Sequence, residues 1–262
     1  MSLLCQVPYN FSYDEGIMDY LYSYKDIIES VYAGFSKGSR PIKNDNKTIT
    51  QHLKRLCEIK EALDVRIIYV MNSVIPTDLD DIDKTFLTSG IVDCINLARD
   101  DIFEEVYGFA QKNKLKFSYE VSRFYDLIQD NNDILKKSAD YILFGFKHEI
   151  EAFQSVRSKF PAFKIGYIAN ENCFPFCDKK LDHNRNVILR NLGKEKKKFS
   201  CPYKEYRKLY TTEEITDICD KNNIDFLKIC DRTMTDEELL NVLLKWIPIV
   251  ETINKNKNLI NV

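Results

Sequence analysis

Val65–Asn72, VRIIYVMN, directly follows Thr48–Leu63, TITQHLKRLCEIKEAL, and this pairing decides how the chain is read. The first is a nearly unbroken apolar run, as in a strand buried on both faces. The second spaces its apolar residues at helical intervals behind a threonine suited to capping. The same alternation recurs along the chain. Leu3–Pro8, Ser30–Phe35, Ile91–Leu97, Lys116–Arg123, Ala139–Gly145, Phe163–Ala169 and Ile224–Ile229 read as further strands. Asp101–Lys112, Lys147–Lys159, Thr212–Lys221 and Thr235–Ile247 read as further helices. Strands alternating with helices imply parallel pairing through right-handed crossovers, and eight strands in about 250 residues is the count of a closed barrel. The expectation is an α/β fold, a (β/α)8 TIM-type barrel forming one domain over residues 1–262, with a long loop after strand 7. No GxGxxG or GxxxxGK[ST] turn supports an open nucleotide-binding sheet.

Composition narrows the function classes. The 262 residues carry 38 basic and 40 acidic side chains, a net charge of −2 that gives no general attraction to nucleic acid or anionic membrane. No stretch approaches the roughly 18 apolar residues of a membrane span, and the first residues lack a secretory pattern, so the expected location is cytoplasmic. Eight cysteines are too sparse for a disulfide scaffold. Cys5, Cys57, Cys94 and Cys219 lie singly in apolar patterns and read as core. His52 reads as the solvent side of its helix. The basic run Lys194–Lys198 reads as a solvated loop.

Chemistry concentrates between the seventh and eighth strands, where over fifty residues from Asn170 to Asn223 include NENCFPFCDKKLDHNRN. Cys173, Cys177 and His183 lie close together, and Cys201 follows Cys177 by 24 residues. Thiolates and imidazole are soft ligands, so three cysteines with His183 suit zinc, whereas four cysteines ending at Cys230 suit an iron–sulfur cluster. Lys180 stands where a radical S-adenosylmethionine motif needs a third cysteine. GxSxG and HExxH are absent, which removes the local signatures of serine and simple zinc hydrolases. A cysteine nucleophile assisted by His183 is the hydrolytic alternative. Polar residues at strand ends, among them Asn72, Asn96, Arg99, Glu120, Arg123, Lys147 beside His148, Asn170, Asn172 and Arg232, are placed to face a barrel mouth.

Three ordered elements resemble the peptidase U32 family. Ser30–Arg40, SVYAGFSKGSR, is similar to the element after that family's second strand. Lys164–Asn186, KIGYIANENCFPFCDKKLDHNRN, resembles its Asn-Glu-x-Cys motif with a second cysteine and a histidine. Phe226–Arg232, FLKICDR, resembles its closing strand, with Cys230 and Asp231 departing from the usual residues. The resemblance implies a barrel, and in several members a 4Fe-4S cluster held by cysteines in oxygen-independent hydroxylation of ubiquinone precursors or RNA; others carry the peptidase name. It implies Cys173, Cys177 and Cys201 as metal ligands, with Cys230 or His183 as the fourth. Glu171 and His183 are then the acid–base candidates, and Asn170, Asn172, Glu120, Arg123 and Arg232 the substrate-binding ones. The expected function is a cytoplasmic U32-like enzyme with an iron–sulfur centre, or zinc in its place, at the barrel mouth. It would modify a small aromatic, peptide or RNA substrate, with a partner subunit as a further expectation. A cysteine peptidase and a non-catalytic, partner-binding barrel are the alternatives.

Overall fold

The computed structural model describes residues 2–35, 47–122, 139–145, 150–170, 177–203, 205, 210–230 and 236–260. Its strands are β1 Leu4–Pro8, β2 Ile28–Ala33, β3 Arg66–Met71, β4 Cys94–Leu97, β5 Ser118–Ser122, β6 Ala139–Phe144, β7 Lys164–Ile168 and β8 Phe226–Lys228. The described helices are α1 Glu15–Ser23, α2 Ile49–Leu63, α3 Asp81–Thr88, α4 Asp100–Lys112, α5 Ile150–Lys159, α6 Lys180–Asn191, α7 Thr212–Asn222 and α8 Asp236–Ile260. All eight strand pairings are parallel, and β8 returns to β1, which closes the barrel in sequence order. Each expected strand is present, with ends displaced by a few residues.

Local chemistry fixes the helix ends. Thr48 and Gln51, Asp80 and Asp83, and Thr211 and Glu214 form reciprocal capping boxes, satisfying backbone N–H groups left over in each first turn. Asp64 and Asn223 end α2 and α7 in the left-handed region, at φ 53° and 49°, where short polar side chains are tolerated. Helix faces explain two departures from expectation. The buried stripe of α2 is His52, Leu56, Ile59 and Leu63, so His52 faces inward and Cys57 lies beside the stripe. His52 accepts or donates at Nδ1 with the Tyr9 hydroxyl at 3.0 Å, among the rings of Tyr9, Phe11 and Phe35. The Cys57 thiol instead donates to Glu61 at 3.3 Å on the outer surface.

In the connection from β7 to β8, α7 is the helix expected over Thr212–Lys221, whereas α6 stands where only a long loop was expected. The stretch KLDHNRNVILRN is largely polar, and its helix docks by Ile188, which is buried against Val74 and Ile75 with Leu189 and Leu192 alongside. That support comes from a segment more than a hundred residues earlier. Helix α8 runs well past Ile247 because Val250 and Ile253 continue its buried face through Pro248. Near its end, Asn254 donates to the Leu3 carbonyl at 2.8 Å and accepts from the Leu3 amide at 2.6 Å. Among the described residues no helix is long and apolar enough to cross a membrane.

Side chains fill the bore. Tyr32, Ile68, Val70, Cys94, Tyr141, Leu143, Ile168 and Phe226 form its apolar cluster. Gly166 makes room for Phe226, its register partner, since a Cβ there would lie 2.1 Å from two ring carbons. Outside the bore, Tyr69 donates to Asp83 Oδ1 at 2.8 Å, and burial raises the Asp83 carboxyl to about 6. An acid with a raised folded-state value favours folding while protonated, and this contribution fades as pH climbs from about 4 through about 6. At roughly 1.4 kcal/mol per pH unit it reaches about 3 kcal/mol at most. Denaturant titrations should therefore show wild type losing ground to Asp83→Asn between pH 4 and 7; a pH-independent difference would refute this assignment.

Candidate active site in the barrel bore

One acidic side chain organises the upper bore. Glu120, at the centre of β5, is fully buried, and both its oxygens are taken. Oε1 accepts from Asn96 Nδ2 at 2.6 Å and from Lys228 Nζ at 3.0 Å, while Oε2 accepts from Gln6 Nε2 at 2.6 Å. Gln6 and Lys228 are register partners on β1 and β8, and Asn96 and Glu120 are partners on β4 and β5. The network therefore spans the bore, joining residues 114 and 108 apart in sequence. Asn96 Nδ2 also donates to Ser122 Oγ at 2.9 Å, and the Ser122 hydroxyl donates to Asn96 Oδ1 at 3.1 Å. Ser122 and Lys228 are the last residues of their strands, which puts this polar layer toward the C-terminal mouth.

The ion pair is nearly dry, with side-chain exposures of 5% for Lys228 and none for Glu120. Its ammonium also stands 4.4 Å from the Tyr32 ring centre, while the Tyr32 hydroxyl donates to the Ile229 carbonyl at 2.6 Å. Below it, burial and then the Glu120 charge push the Cys94 thiol up to about 12, so Cys94 is a neutral packing group. At the opposite end of the bore, Glu29 pairs with Arg66 at 2.9 Å and Lys164 at 3.4 Å, and both cations face the Tyr141 ring. Charge at that end of a barrel reads as closure of the fold.

The expected site residues distribute unevenly. Glu120 lies at the centre of the network and Asn96 beside it. Asn170 has both amide atoms committed to the backbone of Cys230: Nδ2 donates to its carbonyl, and Oδ1 accepts from its N–H at 2.6 Å. It clamps the ends of β7 and β8. Cys230 packs at the edge of the apolar bore cluster. His183, on α6, stacks on Phe199 at 5.3 Å with the rings 9° from parallel. Asp178, the neighbour of Cys177 in sequence, and the stretch that holds Cys201 are joined through the phenol of Tyr203. Its hydroxyl donates to Asp178 at 2.8 Å and is raised first by that bond, then more weakly by other influences that include both thiols. Among the described residues, no three of His, Cys, Asp or Glu gather to hold a metal ion. The described cysteines and His183 thus do not by themselves compose a cluster's ligand set. Cys173, Glu171, Asn172, Arg123, Arg232, Lys147, His148 and the 36–46 segment lie outside the described residues.

Gln6, Ser122 and Lys228 escape a reading of the sequence alone. The local signal at Gln6 and Lys228 is a single polar residue in an otherwise apolar strand, LCQVP and FLK, whereas Ser122 shares SYEVS with two other polar residues.

The arrangement belongs to a closed (β/α)8 barrel with a polar layer at its C-terminal end. The barrel is U32-like in fold: a U32 peptidase structure superposes with a TM-score of 0.54 at 12% identity, covering 87% of this chain and 92% of that one. An N-(5'-phosphoribosyl)anthranilate isomerase from Pyrococcus furiosus aligns at a TM-score of 0.47 and 9% identity, over 95% of this chain and 99% of that one. No protein-family profile and no curated protein matches the sequence.

Proposed function

We propose that the chain is a U32-like enzyme whose reaction centre is the Glu120–Lys228 pair, acting on a small aromatic, peptide or RNA substrate admitted through the barrel mouth. The observation that carries this reading is a dry ion pair in the bore, between Glu120 at the centre of β5 and Lys228 at the C-terminal end of β8. Burying two charges costs several kcal/mol each before their attraction is counted, so such a pair adds little stability over apolar residues. Its position suits chemistry: Glu120 is fixed by three donors as a base, and Lys228 supplies a proton or a positive charge beside it. Asn96 and Gln6 hold the carboxylate in place without titrating.

The test works with the substrate still unidentified. Purified protein, kept anaerobic, is incubated with small-molecule, peptide and RNA fractions of a cell extract, and each fraction is compared by mass spectrometry. Wild type is expected to convert a component that the Glu120→Gln/Lys228→Met double variant leaves intact. Equal conversion by both would overturn the assignment.

The cysteine-ligated metal centre is a second reading, favoured by the Tyr203–Asp178 hydrogen bond of 2.8 Å, which ties the segment of Cys201 to that of Cys177. Together with Cys173 they would supply three thiolates to an iron–sulfur cluster, or to zinc in its place; such a centre would bring redox or Lewis-acid chemistry to the mouth. Metal and sulfide analysis after anaerobic purification is expected to show stoichiometric metal that is lost in Cys177→Ser/Cys201→Ser. Metal-free protein that converts substrate would refute it and return weight to the thiol-hydrolase alternative, for which alkylation would abolish turnover.

A further inference from the structure

We propose that Lys228 is an amine nucleophile that forms an imine with a small aldehyde or ketone bearing a hydroxyl group. This rests on the Glu120–Lys228 pair being the reaction centre and goes further by naming the substrate's reactive group.

Four features of the bore point to it. Lys228 Nζ donates to Glu120 Oε1 at 3.0 Å, so a proton passed along that bond leaves a neutral amine beside a neutral acid, with no net charge buried. A lysine amine freed of its proton in an apolar surround is a competent nucleophile toward carbonyl carbon. The Tyr32 ring packs under Nζ at 4.4 Å, and the Tyr32 hydroxyl is committed to Ile229, so it leaves the carboxylate as the amine's proton partner. Gln6 supplies the remaining recognition group: its Nε2 binds the same carboxylate, while its fully buried Oε1 has no hydrogen-bond partner. A free buried acceptor next to the amine calls for a donor on the ligand, which a hydroxyl beside the carbonyl provides.

The step balances within these groups. Glu120 accepts a proton from the Lys228 ammonium, the amine lone pair attacks the carbonyl carbon, and the C=O π pair moves to oxygen. Proton exchange through Glu120 gives the carbinolamine. Glu120 then protonates the hydroxyl on the former carbonyl carbon, water departs and the C=N bond forms. The sum is one ammonium plus one carbonyl giving one iminium and one water, with the carboxylate restored. No oxidant or reductant is consumed.

Glycolaldehyde with sodium cyanoborohydride tests this, because hydride transfer to the iminium carbon converts it into a stable secondary amine. Peptide mapping of the intact wild-type protein, labelled briefly at low aldehyde concentration, is expected to find Lys228 modified at least about tenfold faster than exposed lysines such as Lys221 or Lys255. Lys228→Arg keeps the charge pair, and should lose that label while exposed lysines react as before. Glu120→Gln should slow labelling at Lys228 alone. Modification confined to exposed lysines, or Lys228 reacting no faster than they do, would overturn the proposal. If Lys228 stays unlabelled yet the double variant still loses conversion of an extract component, imine formation fails while the reaction centre stands. If the double variant retains conversion, the reaction centre itself fails.

Discussion

Glu120→Ala should lower the free energy of unfolding by about 3–5 kcal/mol, because it leaves the Lys228 ammonium buried without its counter-charge. Against a total of about 5–15 kcal/mol for a folded domain, that is a large share. The loss has two sources. Gln6 Nε2 and Asn96 Nδ2 each lose an acceptor at 2.6 Å, and the ammonium keeps only the Tyr32 ring face. Replacing both charges at once, as Glu120→Gln with Lys228→Met, should return stability to within about 1 kcal/mol of wild type, because neutral groups of similar volume avoid the desolvation cost. Denaturant midpoints at constant slope check both values. A single variant as stable as wild type would mean the bore admits water at Lys228.

Gly166→Ala is the second large effect. Its new methyl would lie 2.1 Å from Phe226 carbons across the β7–β8 ladder, and neither backbone can retreat without breaking barrel pairing. Overpacking in cores costs about 1–3 kcal/mol and sometimes more; with the obstacle a rigid ring, about 3 kcal/mol or above is expected, a fall in Tm of roughly 6–12 °C. Phe226→Leu in the same chain should recover part of this, giving a favourable coupling in a double-mutant cycle. Additive losses would show that the clash is relieved elsewhere.

The alternation of apolar runs with amphipathic segments is enough to read the barrel, because each strand is buried on both faces and each helix on one. Helix α6 is not legible in this way: Ile188 is held by Val74 and Ile75, a contact absent from its own periodicity. His52 and Cys57 exchange their expected places because five residues set them about 140° apart around the helix, on different sides, and only the rotation of α2 against the barrel decides which turns inward. The site is half legible. Strand-end position flags Glu120 and Asn96, but nothing local announces that Gln6 and Lys228, over a hundred residues away, reach the same carboxylate. That convergence is set by strand register around a closed sheet. The cysteines show the opposite limit, since clustering in sequence identifies candidate ligands without fixing which thiols meet.

The pairing of Asn254 with Leu3, and of β8 with β1, ties the first strand of the ring to its last strand and to α8. A nascent chain on the ribosome can therefore assemble strands in order but cannot seal the ring until β8 and α8 have cleared the exit tunnel, so closure is the last step in forming the barrel.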